Sequence, residues 1–195
     1  IYKCYRNSFF MTFVIFIMNF IHNLIGTYKN KISAIIALTE FQKSILVEHG
    51  IPSKKIFVKP NFINFNKKVS LDFNQKDNIV SIGRISKEKG IDLLLEAWSK
   101  ISNHKNNNLL IIGDGPEKKV LKSKYKSSNV KWLGWLDRKD VFNHLEKSKY
   151  FVMPSKWYEG FPMVLLESMS MGIPSIVPNH AAFPNIVDNK KNGFL

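Results

Sequence analysis

One cysteine, Cys4, is all the thiol chemistry in this chain of 195 residues. No disulfide can form within it, and a reducing compartment is its expected setting. Acidic residues are scarce as well: 15 Asp and Glu stand against 29 Lys and Arg, a net charge of +14. The histidines (His22, His49, His104, His144 and His180) are scattered, and none sits beside another His, Cys or Asp at metal-ligand spacing. No Asp-x-Asp triplet occurs, so no metal site is expected. A Gly-x-Ser-x-Gly elbow and a Gly-x4-Gly-Lys-Ser/Thr loop are both missing, which removes the signatures of α/β-hydrolase and P-loop chemistry. Zinc-finger spacing and RNP-like aromatic motifs are missing too, and the lysines are spread out, so nucleic acid is not the expected partner. The excess charge reads first as a solvated lysine-rich surface, and second as one attracted to anionic lipid. Long apolar runs are limited to Phe9 to Ile21. That is short of the roughly 20 residues a spanning helix wants. A buried or membrane-surface helix fits it better than a span or a signal peptide, since no small-residue cleavage site follows.

What is present is a regular alternation. Ile32 to Leu38 forms a β-branched run, Thr39 suits an N-cap, and Glu40 to His49 reads as a helix ending at Gly50. Lys55 to Lys59 reads as a strand closed by Pro60. Residues 61–77 are polar and aperiodic and read as a linker. Beyond it, strands are expected over Asn78 to Ile82, Leu109 to Ile112, Val130 to Leu133, Tyr150 to Met153 and Pro174 to Val177. Helices are expected over Ile91 to Ile101, Glu117 to Tyr125, Arg138 to Lys147 and Pro162 to Met171. Strands alternating with helices imply right-handed βαβ units. Apolar runs without alternation imply strands covered on both faces. The expected fold is therefore α/β, a Rossmann-like parallel sheet flanked by helices. Every unusual loop then falls at the carboxyl edge of the sheet, where open α/β folds bind ligands. The chain begins at Ile1 and ends at Leu195 after an apolar tract. It reads as a piece of a longer polypeptide.

The most informative segment is Glu159-Gly160-Phe161-Pro162-Met163-Val164-Leu165-Leu166-Glu167. It sets two carboxylates across a loop that becomes a helix, with Pro162 suited to the first helical position. Such a helix start offers free N–H groups and a positive dipole end to an anion, while carboxylates beside it accept hydrogen bonds from sugar hydroxyls. Gly83-Arg84-Ile85-Ser86-Lys87-Glu88-Lys89-Gly90 places a guanidinium fork and an ammonium at the two ends of one loop, both suited to phosphate oxygens. Gly113-Asp114-Gly115-Pro116 is a turn that would shape a cleft floor, or pure turn chemistry. In Trp132-Leu133-Gly134-Trp135 the backbone could meet a nucleobase edge, although core packing of both tryptophans is the better reading. Glu159 and Glu167 as a hydrolytic acid and base is a poorer reading, since both would have to flank one scissile bond.

With Gly83-Arg84…Lys89-Gly90, Gly113-Asp114-Gly115-Pro116, Glu159…Glu167 and Gly172-Ile173-Pro174 in this order, residues 32–195 resemble the retaining glycosyltransferases of family four. Those have the GT-B fold, two Rossmann-like domains facing across a cleft. The tract Cys4-Tyr5-Arg6-Asn7-Ser8 resembles a segment near the end of the acceptor domain in polysaccharide-building members. The resemblance implies a division into residues 1–60, the tail of the acceptor domain, residues 61–77, the linker, and residues 78–195, the nucleotide-sugar-binding domain. It implies that Arg84 and Lys89 hold the donor diphosphate and stabilise the departing nucleotide, which is electrostatic catalysis. Glu159 would contact the transferred sugar and Glu167 the ribose. Backbone N–H groups from Phe161 to Val164 would meet the phosphates. Gly83, Gly113, Gly134 and Gly160 complete the implied donor site. No metal or other cofactor is implied. The partners would be a nucleotide sugar and a glycan or lipid-linked acceptor; the positive charge and the Phe9 to Ile21 tract would favour a lipid-linked glycan at the cytoplasmic membrane face. Relatives often carry Gly-Gly-x-x-Glu before the last strand, where this chain has Ala181-Ala182-Phe183-Pro184-Asn185. That departure would alter sugar selection or weaken donor binding. Alternatives are another GT-B enzyme, such as a sugar-nucleotide epimerase or a phosphorylase, and a non-catalytic nucleotide-sugar-binding fragment. The implied enzyme is metal-independent, and the piece alone is expected to transfer poorly.

Overall fold

The computed structural model describes residues 5, 8–64, 77–101 and 107–195. The chain divides into two compact units, Ile1–Lys59 and Pro60–Leu195. Most of the segment read as a linker, residues 65–76, lies outside the described residues.

In the first unit, Ser8 caps helix α1 (Phe9–Leu24) by accepting the Met11 N–H on its side chain. None of the 16 residues of α1 is buried. Phe9 stacks on Phe13 and Phe16 on Phe20, the i,i+4 spacing that sets side chains on one face. A turn of π-helix at Thr27–Lys31 follows, which the sequence pattern did not signal. Strand β1 (Ile35–Ala37) pairs in parallel with β2 (Ile56–Val58) around helix α2 (Glu40–Glu48). Thr39 caps α2 through its hydroxyl, as the sequence led us to expect. Ala37, Ile51 and Ile56 form the small core. Among the described residues no helix is long and apolar enough to cross a membrane.

The second unit is a parallel sheet of six strands. These are β3 (Asn78–Ile82), β4 (Asn108–Ile112), β5 (Val130–Gly134), β6 (Ser148–Val152), β7 (Ser175–Ile176) and β8 (Gly193–Phe194), in spatial order β5-β4-β3-β6-β7-β8. Helices α3 (Ile91–Ser99), α4 (Lys118–Lys124), α5 (Arg138–Glu146) and α6 (Met163–Ser170) connect them. Successive residues of β4 serve opposite faces, as the pleat requires. Leu109 and Ile111 pack with Leu94, Leu95 and Trp98 of α3 and Leu121 of α4. Leu110 and Ile112 pack with Leu145 of α5 and Leu165 of α6. Both faces are therefore covered, which is why the strand sequence is apolar without alternation. Truncating such a residue to Ala costs about 2–5 kcal/mol.

Two local readings need correction. Pro162 is the N-cap of α6, with φ −66° and ψ 122°, rather than its first helical residue. The extended ψ keeps it outside the helix. Trp135 is 76% exposed and not a core residue, whereas Trp132 packs against the α3 and α4 side of the sheet. Gly134 explains the difference. It takes a left-handed φ of +75° at the strand end, which turns the next side chain out of the sheet.

Candidate nucleotide-sugar site

From β3 the chain winds through β4 to β5 on one side, then crosses back to place β6 on the other side of β3. The strand order reverses between β3 and β6. In a parallel sheet this is where two neighbouring loops diverge and leave a crevice at the carboxyl edge. The loop after β3 carries Gly83, Arg84 and Lys89, and the loop after β6 carries Glu159 through Pro162.

A cavity of about 240 Å³ opens there. Gly83, Arg84 and Lys89 line one wall, and Glu159, Pro162, Met163 and Val164 the other. Lys89 Nζ donates to Glu159 Oε1 at 2.5 Å across the crevice. The two side chains are 27% and 13% exposed, so water screens this pair less than a surface pair. Arg84 makes no ion pair among the described residues and lines a second cavity as well, of about 350 Å³. Gly113, Asp114, Trp135, Leu136 and Val141 complete that second space. The two cavities share Ile82, Gly83 and Arg84.

Backbone and side-chain contacts join the loops. The Lys156 N–H donates to the Glu88 carbonyl at 2.8 Å, and Lys156 Nζ reaches Asp92 at 2.8 Å. Gly90 is left-handed, with φ +69°, and a Cβ built there would lie 2.0 Å from the Pro154 carbonyl oxygen. Gly113 plays the same part on the other side. A Cβ there would lie 1.9 Å from the Gly83 oxygen. Both positions demand glycine through conformation and through close approach.

The Ser86 hydroxyl, 2.6 Å from Glu88 Oε1, holds the Glu88 carboxyl below the usual carboxylate range. The Glu88 backbone N–H helps, and the positive charges of Arg84 and Lys89 add to it. The hydrogen bond from Lys118 lowers Asp114 likewise, with the Gly115 N–H second.

Other residues expected at the site stand further off. Gly134 accepts the Gly113 N–H at 2.7 Å through its carbonyl and lines neither cavity. Gly160 and Phe161 lie in the loop before α6, where the Phe161 carbonyl accepts a bond from Asn61 Nδ2 at 3.2 Å. Glu167 lines neither cavity. Its Oε1 pairs with Arg138 Nη2 at 3.1 Å, and the Arg138 guanidinium lies over the Phe142 ring. Sequence pattern alone does not mark Arg138, Ser155 and His180 as site residues: Arg138 and His180 arrive through contacts remote along the chain, and Ser155, four positions from Glu159, through the direction of its side chain. Ala181, at the first glycine of the family pattern, has φ +53°, the left-handed conformation a glycine would take without strain. Among the described residues no group of three His, Cys, Asp or Glu could hold a metal.

The family model described as "Glycosyl transferases group 1" matches residues 62–195, which contain every loop of this crevice. The chain belongs to the group 1 glycosyltransferases. An uncharacterized glycosyltransferase of Haemophilus influenzae is 31% identical over 166 residues, covering 83% of this chain and 46% of that protein. The Escherichia coli UDP-Gal:alpha-D-GlcNAc-diphosphoundecaprenol alpha-1,3-galactosyltransferase is 38% identical over 125 residues, 58% of this chain and 31% of that protein. Among solved structures, a variant of S. aureus TarM in complex with fondaparinux, alpha-GlcNAc-glycerol and UDP superposes with a TM-score of 0.73. That match is 26% identical and covers 89% of this chain and 36% of that one. The chain thus spans less than half the length of each of these relatives. The sheet with helices on both faces is the α/β, Rossmann-like architecture of the family.

Proposed function

We propose that residues 78–195 are the donor domain of a metal-independent, retaining glycosyltransferase, that residues 61–77 link it to residues 1–60, and that the latter are the tail of an acceptor domain. The observation that carries this reading is the convergence of Arg84, Lys89 and Glu159 on one cavity where the strand order reverses. A sugar diphosphate presents two anionic phosphates and a ring of hydroxyls. Arg84 and Lys89 neutralise the phosphates, and the N–H groups at the start of α6 receive their remaining oxygens. Glu159 accepts hydrogen bonds from the transferred sugar. The nucleobase enters the second cavity, with Trp135 and Val141 covering its faces. Glu167 turns from Arg138 toward the ribose.

Chemistry follows from placement and charge. The bond from the sugar's anomeric carbon to the leaving phosphate oxygen breaks. Arg84 and Lys89 stabilise the negative charge gathering on the diphosphate, an effect strongest in a site with little water. The leaving phosphate takes the proton of the acceptor hydroxyl as that oxygen bonds to the anomeric carbon on the same face, so configuration is retained. No cofactor is required.

The acceptor is a glycan or a lipid-linked glycan, in polysaccharide or glycoconjugate biosynthesis. The name of the E. coli relative, the net charge of +14 and the exposed apolar surface of α1 support a cytoplasmic, membrane-peripheral placement. Residues 1–195 alone transfer sugar poorly, because most of an acceptor domain would have to be supplied. The test is incubation of the full-length protein with labelled UDP-, GDP- and ADP-hexoses, with and without divalent metal. Retained anomeric configuration in a transfer product formed under chelator supports the proposal. Inversion, or absolute metal dependence, refutes it.

A further inference from the structure

Glu159 holds two hydrogen bonds on the same oxygen. Lys89 Nζ and Ser155 Oγ both donate to Oε1, the latter at 2.8 Å. Oε2 has no partner among the described residues. Ser155 is 1% exposed, although it lies in a loop. Its hydroxyl has one proton to give. The Trp157 N–H, 3.3 Å away, can only donate, so Ser155 Oγ accepts there. The Glu88 carbonyl lies at 3.5 Å, too far to compete with a carboxylate at 2.8 Å. The proton therefore goes to Glu159.

Ser155 is itself anchored from behind. His180 Nε2 lies 3.0 Å from the Ser155 carbonyl oxygen. A carbonyl only accepts, so Nε2 carries the hydrogen. The imidazole stands edge-on to Tyr158, with centroids 6.0 Å apart, and to Phe183, at 5.8 Å. The path runs from the imidazole to the Ser155 backbone, through its hydroxyl to Oε1, and leaves Oε2 as the open acceptor of the carboxylate.

We infer that Ser155, held by His180, is the positioning residue that aims Glu159 at the transferred sugar; this rests on the reading of Glu159 as the sugar-facing carboxylate. Lys89 cannot do this alone. Its ammonium is drawn to the diphosphate once a donor arrives, and the neutral hydroxyl remains as the fixed donor to Oε1. A freely rotating glutamate would have to be ordered by the substrate at each binding event.

The test uses Ser155→Ala and Ser155→Cys, the second nearly preserving volume while giving only a weak donor. The donor is whichever of UDP-, GDP- and ADP-hexose the wild-type full-length protein turns over. Affinities for that donor and for its free nucleoside diphosphate are measured by calorimetry, alongside kcat. The expected result is nucleoside diphosphate affinity within twofold of wild type in both variants. The sugar-dependent part of the affinity should fall about fivefold or more, and kcat at least tenfold, with Ser155→Thr retaining most of kcat. Equal losses for the nucleoside diphosphate and for the sugar donor would indicate a merely structural role and overturn the inference, as would unchanged kcat in Ser155→Cys. If the wild-type protein binds no nucleoside diphosphate at all, the functional reading falls and the inference with it. If it binds and transfers while both variants match it, only the inference falls.

Discussion

Gly90→Ala tests the claim that two loops converge on one crevice. The perturbation adds a single methyl group. At φ +69° an L-residue costs about 1–2 kcal/mol from its own backbone. The added carbon would lie 2.0 Å from the Pro154 oxygen and 3.0 Å from its carbonyl carbon. Neither atom belongs to a flexible side chain, so the β3 and β6 loops must separate. Overpacking of this sort costs about 1–3 kcal/mol. The total is about 2–5 kcal/mol, a large share of the roughly 5–15 kcal/mol that holds a native protein together. Gly83→Ala is the internal control. Gly83 also has a positive φ, +152°, but nothing lies within 4 Å of its would-be Cβ. It carries backbone strain without a clash. At roughly 2–4 °C per kcal/mol for a chain of this size, Gly90→Ala should lower Tm by about 4–20 °C, and by several degrees more than Gly83→Ala. Differential scanning calorimetry of the three proteins makes the comparison. Equal shifts for the two variants would refute the reasoning, because the clash would then contribute nothing.

Three further outcomes follow from the same geometry. The Glu88 carboxyl is held below its ordinary 4.5, so the unfolded chain binds the proton more readily. The resulting stability is present above pH 4.5 and is lost as pH falls through the lower folded value. Ser86→Ala should move the Glu88 titration, followed by carboxyl NMR, upward toward 4.5, and an unmoved titration would contradict the assignment. Arg138→Ala removes a partner that is 68% exposed from Glu167, so its cost should stay below about 1 kcal/mol, a Tm change under about 4 °C. A larger loss would mean that the pair is a structural tie rather than one free to open for a ribose.

Much of the second unit was legible because its physics is local. Leu-Leu-Ile-Ile and Tyr-Phe-Val-Met are apolar without alternation, and glycine or proline closes each strand. Only one kind of sheet accepts such strands with helices between them. The boundaries of β3 came out as expected, and the other helices and strands shifted by a residue or two at their ends, where capping decides. The two-residue strand β8 and the turn of 3₁₀-helix at Phe183–Asn185 escaped because such short elements carry no periodicity. That Arg84, Lys89 and Glu159 lie in loops at one sheet edge follows from the strand–helix pattern, and the resemblance singles them out among the loop residues. What escaped were contacts set by side-chain direction. Glu167 faces Arg138, Ser155 faces Glu159, and His180 reaches back 25 positions to the Ser155 carbonyl. Nothing in the sequence around Trp135 signals its exposure, since a large aromatic ring at a strand end favours packing. The left-handed Gly134 before it overrode that preference.

On the proposed function, the crevice between β3 and β6 grips a diphosphate through Arg84. The most direct measurement is the Tm of this chain and of Arg84→Ala in the presence of UDP, GDP, ADP and the matching monophosphates. A ligand that binds only the native state at a hundred times its Kd adds about 2.7 kcal/mol. We predict a clear rise in wild-type Tm with one of the diphosphates, a smaller one with its monophosphate, and little or none in Arg84→Ala. A rise of equal size in Arg84→Ala, or no rise with any diphosphate, would contradict the account.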